Sequence, residues 1–255
     1  MKSQSKTIVS VLLALTALVV SGCEKSLIKE DTILIKEDAI VFDDWVDLGL
    51  PSGILWASRN VGATSPEKYG DYIAWGETRA KSGSHDWSTY QYTQYSGWQY
   101  LFTKYCYDPT VGYDGYTDTL TILQPEDDAA TACYGGRTPT KGEWQELMDN
   151  TTVRDARYRG VGGLYITGTN GNSIFLPYTG CPDNSYSGGC DGHYWTSSLC
   201  TAADTSTGVS EIYHAWYIEL ASYDIYKIVG QVRFMPHSIR AVRFKQGNAD
   251  DRRNP

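Results

Sequence analysis

From Trp45 onward the chain carries one strong helical period, and that scarcity restricts the folds open to it. Thr140 stands where a helix N-cap is expected, and Glu143 three residues on completes a capping box. Trp144, Leu147 and Met148 then recur at i, i+3 and i+4, the stripe of a helix with one face on a core. The rest reads as short strands broken by turn signals. Val46 to Leu50 and Ile54 to Ala57 flank Pro51-Ser52-Gly53, and Tyr72 to Trp75 follows Gly70-Asp71. Gly163 to Thr167 and Ser173 to Leu176 are joined through the hairpin turn Asn170-Gly171-Asn172. Tyr194 to Ser198, Ala215 to Leu220 and Ser238 to Phe244 complete the set. Gly83 to Tyr100 is dense in Ser, Tyr, Gln and Trp with no period, and reads as a long loop.

The first residues are an address. Lys2 and Lys6 precede an apolar run from Ile8 to Val20. At about 13 residues the run is short of the roughly 20 that span a bilayer, and it suits the core of a secretory signal. Val20-Ser21-Gly22-Cys23 resembles the bacterial lipobox, which implies cleavage before Cys23, acylation of its thiol and a chain outside the cytoplasm. A plain signal peptide with an incidental Cys is the alternative. Residues 23–44 form an acidic tether in which L-I-K-E-D-T-I (Leu27 to Ile33) is followed by L-I-K-E-D-A-I (Leu34 to Ile40). Two heptads fall short of a coiled coil. Residues 245–255 are a polar tail.

Charge narrows the partners. Thirty Asp and Glu stand against 22 Lys and Arg, a net charge of −8, and loss of Lys2 and Lys6 takes the mature chain to about −10. Nucleic acid is excluded as a partner, because a phosphate backbone needs a clustered basic surface. The aromatic residues are 20 Tyr and 8 Trp against 5 Phe, and rings with a polar handle suit half-exposed surfaces as well as cores.

Ordered motifs carry a resemblance. Asp47-Leu48-Gly49-Leu50, Trp56-Ala57-Ser58-Arg59-Asn60-Val61-Gly62-Ala63, Tyr69-Gly70-Asp71-Tyr72 and Ala74-Trp75-Gly76-Glu77-Thr78 form one signature. It continues through Thr103-Lys104-Tyr105-Cys106, Pro125-Glu126-Asp127-Asp128-Ala129-Ala130, Arg137-Thr138-Pro139-Thr140, Asn172 to Pro177, Tyr194 to Ser198 and Ser238 to Val242. Residues 45–244 thereby resemble the Fibrobacter succinogenes major paralogous domain, common in lipoproteins of gut-type Bacteroidota. The resemblance implies an α+β, C-type-lectin-like fold of the variety shared with formylglycine-generating enzymes: twisted antiparallel sheets, one or two helices and much irregular loop. It also implies an outer-membrane, surface-displayed lipoprotein. Relatives often carry an aromatic residue just before the Arg of R-x-P-T, where this chain has Gly135-Gly136 before Arg137.

Catalysis is not expected. The enzymatic relatives bind copper through closely placed Cys near the C-terminal arginine motif, or iron through a His cluster. Here no Cys lies beyond Cys200, and His85, His193, His214 and His237 show no metal-ligand spacing. No nucleophile elbow or phosphate loop appears, and His193 beside Asp191-Gly192 reads as a loop histidine before a base. No cofactor is expected. Glu126-Asp127-Asp128 with Asp114 and Asp118 offers hard oxygens for calcium, while acids at a helix N-terminus explain the same run. Setting Cys23 aside, Cys106, Cys133, Cys181, Cys190 and Cys200 are odd in number, so at least one is unpaired in the monomer. Cys181–Cys190 and Cys190–Cys200 are competing pairings.

The binding face is expected in the C-terminal third. Ala215, Tyr217 and Leu220 look structural, and the resemblance implies the same of Gly230, Arg233, Ser238 and Arg240, which fall where relatives keep similar residues. Between them stand Tyr213, Trp216, Tyr223, Asp224, Tyr226, Lys227, Gln231, Phe234, Met235 and His237, aromatic and basic anchors of the kind binding surfaces use. The segment from Tyr90 to Tyr100 is a further surface candidate, whereas Trp56, Trp75, Trp144 and Trp195 are expected in the core. Relatives often carry Asn or other small polar residues in this segment, and their replacement here by mixed residues also resembles target proteins of diversity-generating retroelements. The expected role is a ligand-binding or adhesion lipoprotein, its partner a protein or a glycan at the cell surface, with the membrane engaged through Cys23. A structural subunit of a surface assembly is the alternative, and a formylglycine-generating-enzyme-like activity a more distant one.

Overall fold

The computed structural model describes residues 44–180, 191–201, 211–222 and 225–245. The signal and residues 23–43, Cys23 among them, lie outside these residues, as do Cys181, Cys190, Tyr223 and Asp224. The described chain is an α+β assembly of small antiparallel sheets, two helices and long connections.

The ends of the domain meet in one sheet. β1 (Trp45–Asp47) and β13 (Arg240–Phe244) flank β2 (Ile54–Asn60), antiparallel on both sides. The expected turn closes the first pair, with Gly53 N–H donating to the Leu50 carbonyl at 2.9 Å. A second sheet is a meander of β6 (Thr152–Tyr158), β7 (Val161–Thr167) and β8 (Ser173–Pro177). Arg159 and Gly160 turn the first hairpin with φ of 49° and 84°, the doubly positive pair of a type I′ turn. Gly171, φ 87°, turns the second inside the Asn-Gly-Asn signal. The third sheet runs β11 (Ile225–Val232), β10 (His214–Ala221), β9 (Asp191–Leu199). Two ribbons complete the set: β3 (Ile73–Ala74) with β12 (Pro236–His237), and β4 (Thr93–Ser96) with β5 (Gln99–Phe102). The expected loop from Gly83 to Tyr100 therefore contains a hairpin.

α2 (Lys141–Asp149) is the helix expected from the sequence. Thr140 Oγ1 accepts from Glu143 N–H at 3.2 Å, and the Glu143 carboxylate accepts from Thr140 N–H at 2.8 Å. Trp144, Leu147 and Met148 are its buried residues. α1 (Ala129–Tyr134) is shorter, with Asp128 capping its start and Gly135 (φ 70°) ending it. The glycine pair before Arg137 has a packing reason. A Cβ on Gly136 would run into the Trp45 ring, which fills that space from β1 and meets Tyr134 edge-on at 5.5 Å.

The β9–β11 sheet separates two cores, because alternate strand residues point to opposite faces. Tyr194, Ile218 and Leu220 join Trp56, Trp144 and Leu147 on the α2 side. Trp195, Ala215 and Tyr217 join Trp75, Phe102 and Tyr105 on the other. Trp56, Trp75, Trp144 and Trp195 are all fully buried, as expected. So are Arg233 and Arg240, and no carboxylate among the described residues pairs with either. Each instead holds the chain together through main-chain carbonyls. Arg240 donates to Ala57 and Phe175 at 2.9 and 2.8 Å, and Arg233 to Tyr105 and Ile212 at 3.0 and 2.7 Å.

Candidate aromatic binding face

The two surface candidates of the sequence meet at a residue that neither included. Trp87 projects from the Tyr-rich segment onto the C-terminal third. Its ring meets Phe234 edge-on at 4.7 Å and Tyr213 at 5.6 Å, with Phe102 at 5.4 Å and Tyr90 at 5.8 Å behind. Trp87, Tyr213 and Phe234 are half-buried, whereas Phe102 and Tyr90 are buried. Three rings thus share a partly exposed face laid over two that do not reach solvent.

The face is held from below and from the side. The Arg233 guanidinium lies 3.7 Å from the Phe102 ring centre. Its bond to the Ile212 carbonyl fixes the residue before Tyr213, and its own N–H donates to the Tyr213 carbonyl at 3.1 Å. Phe234 follows directly in the turn that leaves β11, where Met235 N–H donates to the Val232 carbonyl at 3.1 Å. On the opposite side, Thr93 Oγ1 donates to the Trp87 carbonyl at 2.6 Å, and Ser88 N–H donates to the Asp86 carboxylate at 2.8 Å. Rings fixed by main-chain bonds lose little freedom when a ligand binds, and this favours affinity.

The structure divides the remaining candidates. Tyr226 and Trp216 lie on the α2 side of the sheet. Gln145 Nε2 donates to Tyr226 Oη at 3.1 Å, and Lys141 Nζ stands 3.4 Å from the Trp216 ring centre. Lys227, adjacent to Tyr226, is therefore on the opposite face, exposed and in register with Glu219. Gln231 also lies on that opposite face and is half-buried. A single patch containing Trp216, Tyr226, Lys227 and Gln231 is corrected by this alternation. His237 is corrected as well: only 1% exposed, it packs at 4.4 Å from the Trp195 ring and 4.8 Å from Tyr217. Met235 stays half-buried beside Phe234. In the Tyr-rich segment Tyr90 and Tyr92 are core residues, and Tyr95 and Trp98 are exposed.

His193 and His237, which no sequence spacing connects, come within 5.2 Å because β9 and β12 pack together. Burial holds the His193 pKa below the usual imidazole range, against the pull of Glu219 and Asp191. Among the described residues no group of three or more His, Cys, Asp or Glu side chains is placed to hold a metal. The acids considered for calcium have separate duties. Asp118 accepts from Tyr105 and Cys106 N–H at 2.7 and 3.2 Å, and Asp128 accepts from Ala130 and Thr138 N–H at 2.9 and 2.7 Å. Asp127 binds Lys104 at 2.5 Å and the Tyr105 hydroxyl; burial opposes its charge, yet these bonds hold its pKa low. Asp114 is an exposed turn residue with φ 52°.

A pocket of 140 Å³ opens between the starts of the two helices and β9, lined by Leu123, Asp128, Thr138, Thr140 and Ser197. Small-molecule sites typically measure about 300–1,000 Å³, so this one is undersized for such a ligand. Comparison of the chain with models of known protein families, with curated proteins and with solved structures finds no match.

Proposed function

We propose that this chain is the ligand-binding or adhesion module of a lipoprotein held at the outer-membrane surface through Cys23, and that its binding face is centred on Trp87, Tyr213 and Phe234. The observation that carries the reading is the contact of Trp87 with both C-terminal rings, at 4.7 and 5.6 Å. It joins two aromatic-rich stretches into one partly exposed, pre-ordered surface. Large rigid rings of this kind concentrate binding energy. The ordered sequence motifs, with the small antiparallel sheets, two helices and long loops, support a C-type-lectin-like domain as the scaffold. Catalysis has no comparable support, since the acids are engaged in structural hydrogen bonds and the two neighbouring histidines are packed among aromatic rings.

The test is binding of the purified chain to an array of glycans and immobilised extracellular proteins. Replacing Tyr213 and Phe234 together by Ala, with folding checked by melting, is expected to reduce the strongest signal at least about tenfold, the scale of losing two moderate anchors. A folded double variant that binds as well as the parent would remove this face from consideration.

A further inference from the structure

The most exposed large hydrophobic side chain among the described residues has no part in that face. Trp98, 80% exposed, stands at the tip of the β4–β5 hairpin. Gly97, φ 67°, supplies the positive dihedral at the first of the two turn residues, so Trp98 occupies the second, between Ser96 and Gln99. Behind the tip Tyr95, 56% exposed, is paired across the ribbon with Tyr100, their rings 5.1 Å apart. The Tyr95 hydroxyl donates to the Gly97 carbonyl at 2.9 Å, which ties that ring to the turn. Trp98 and Tyr95 are thus exposed aromatic rings at a hairpin tip, with half-buried Tyr100 beside Tyr95.

The surroundings define what such rings would take. Between Asp86 and Lys104 there is no Asp, Glu, Lys, Arg or His. At the turn the side chains flanking Gly97-Trp98 are the neutral Ser96 and Gln99, while Gln94 lies with them on the face of the ribbon opposite Tyr95 and Tyr100. A sulfated polymer or a phosphate headgroup would find no cation on the ribbon, and the turn at residues 113–115 that touches β4 adds only the acid Asp114. A membrane interface is also a poor match. Surface-seated segments carry Lys or Arg beside the apolar anchors, and the Gln amides would lose water without gaining partners. A neutral saccharide fits both features. The C–H face of a pyranose lies on the electron-rich face of Trp or Tyr, and its hydroxyls match the phenol hydroxyls of Tyr95 and Tyr100 and the Ser96 and Gln99 groups at the turn in giving and taking hydrogen bonds.

We propose that the β4–β5 hairpin is a second binding element that takes a neutral saccharide across Trp98, Tyr95 and Tyr100. Its rings are other than those of the Trp87 face, which meets the base of the same ribbon at Thr93 and Phe102, and the proposal does not depend on the reading of that face.

Affinity electrophoresis of the full chain tests it, in native gels containing a neutral β-glucan, α-glucan, mannan or xylan. Retardation by at least one of them is expected, and Trp98→Ala should lower the affinity by about tenfold, the effect of removing one anchoring ring. Trp98 is exposed, so the variant should keep its melting temperature to within about 2 °C. Tyr95→Ala serves as the second variant. Retardation that Phe234→Ala lowers while Trp98→Ala and Tyr95→Ala leave it intact would place the saccharide on the Trp87 face and overturn this site without touching the reading of that face. Absence of retardation in all four gels, or retardation indifferent to Trp98→Ala and Tyr95→Ala, overturns the proposal. So does cosedimentation with phosphatidylcholine vesicles that Trp98→Ala abolishes, which would assign the hairpin to a lipid surface.

Discussion

Arg233 connects the stability of the domain to the shape of its aromatic face, and Arg233→Met separates the two. The side chain is fully buried without a carboxylate partner among the described residues, and burial pulls its pKa down. What compensates the buried charge is the pair of bonds to the Tyr105 and Ile212 carbonyls, at 3.0 and 2.7 Å, and the Phe102 ring at 3.7 Å. Met retains the apolar stem and removes all three contacts. Two buried carbonyls left unsatisfied cost about 1–3 kcal/mol each, and the desolvated cation–π contact is worth about 2 kcal/mol. Relief from burying a charge offsets part of this, because apolar replacement of buried ions is often tolerated. A net loss of about 3 kcal/mol is expected, and about 2–4 °C per kcal/mol for a domain of this size gives a melting temperature lower by about 6–12 °C. Differential scanning calorimetry measures it. Arg233→Lys keeps the charge with one compact donor head and should fall between the two. A Met variant melting within about 2 °C of the parent would refute the assignment of Arg233 as the brace beneath Tyr213.

Thr140→Ala removes the capping box of α2 and should cost about 1 kcal/mol, read as a melting point lower by about 2–4 °C. His193 is held neutral by burial, its folded pKa below the unfolded 6.5. Its contribution to stability is therefore complete above pH 6.5 and is lost as pH falls toward the lowered value, so His193→Gln should flatten the decline in melting temperature between pH 7.5 and about 5.5. Cys133 is exposed and Cys106 buried, with neither in a disulfide. Under native conditions a maleimide should modify Cys133 within minutes and spare Cys106 until the chain is denatured, as mass spectrometry of the labelled peptides would show.

Local chemistry was legible in the sequence, and tertiary register was not. The Thr140 to Met148 helix and the Asn170-Gly171-Asn172 turn follow from spacing, the burial of Trp56, Trp75, Trp144 and Trp195 from the motifs that carry the resemblance, and the structure places all of them accordingly. β6 escaped because Arg154, Asp155 and Arg157 interrupt its apolar alternation. β11 carries Tyr226, Lys227 and Gln231 of the expected binding face, but its residues alternate between two faces, which separates Tyr226 from Lys227. Trp87 had no local signal beyond its aromatic-rich neighbourhood. Its role arises from contact with Tyr213 and Phe234, more than a hundred positions away in the chain, and no periodicity reports such a contact. The same holds for His237, whose burial depends on the pairing of β12 with β3 and its packing against β9.

Hydroxyl-radical footprinting of the chain, free and saturated with its strongest array ligand, tests the central claim most directly. Protection from oxidation is expected at Trp87, Tyr213 and Phe234 together. Protection elsewhere, with these three rings oxidised as in the free chain, would contradict it.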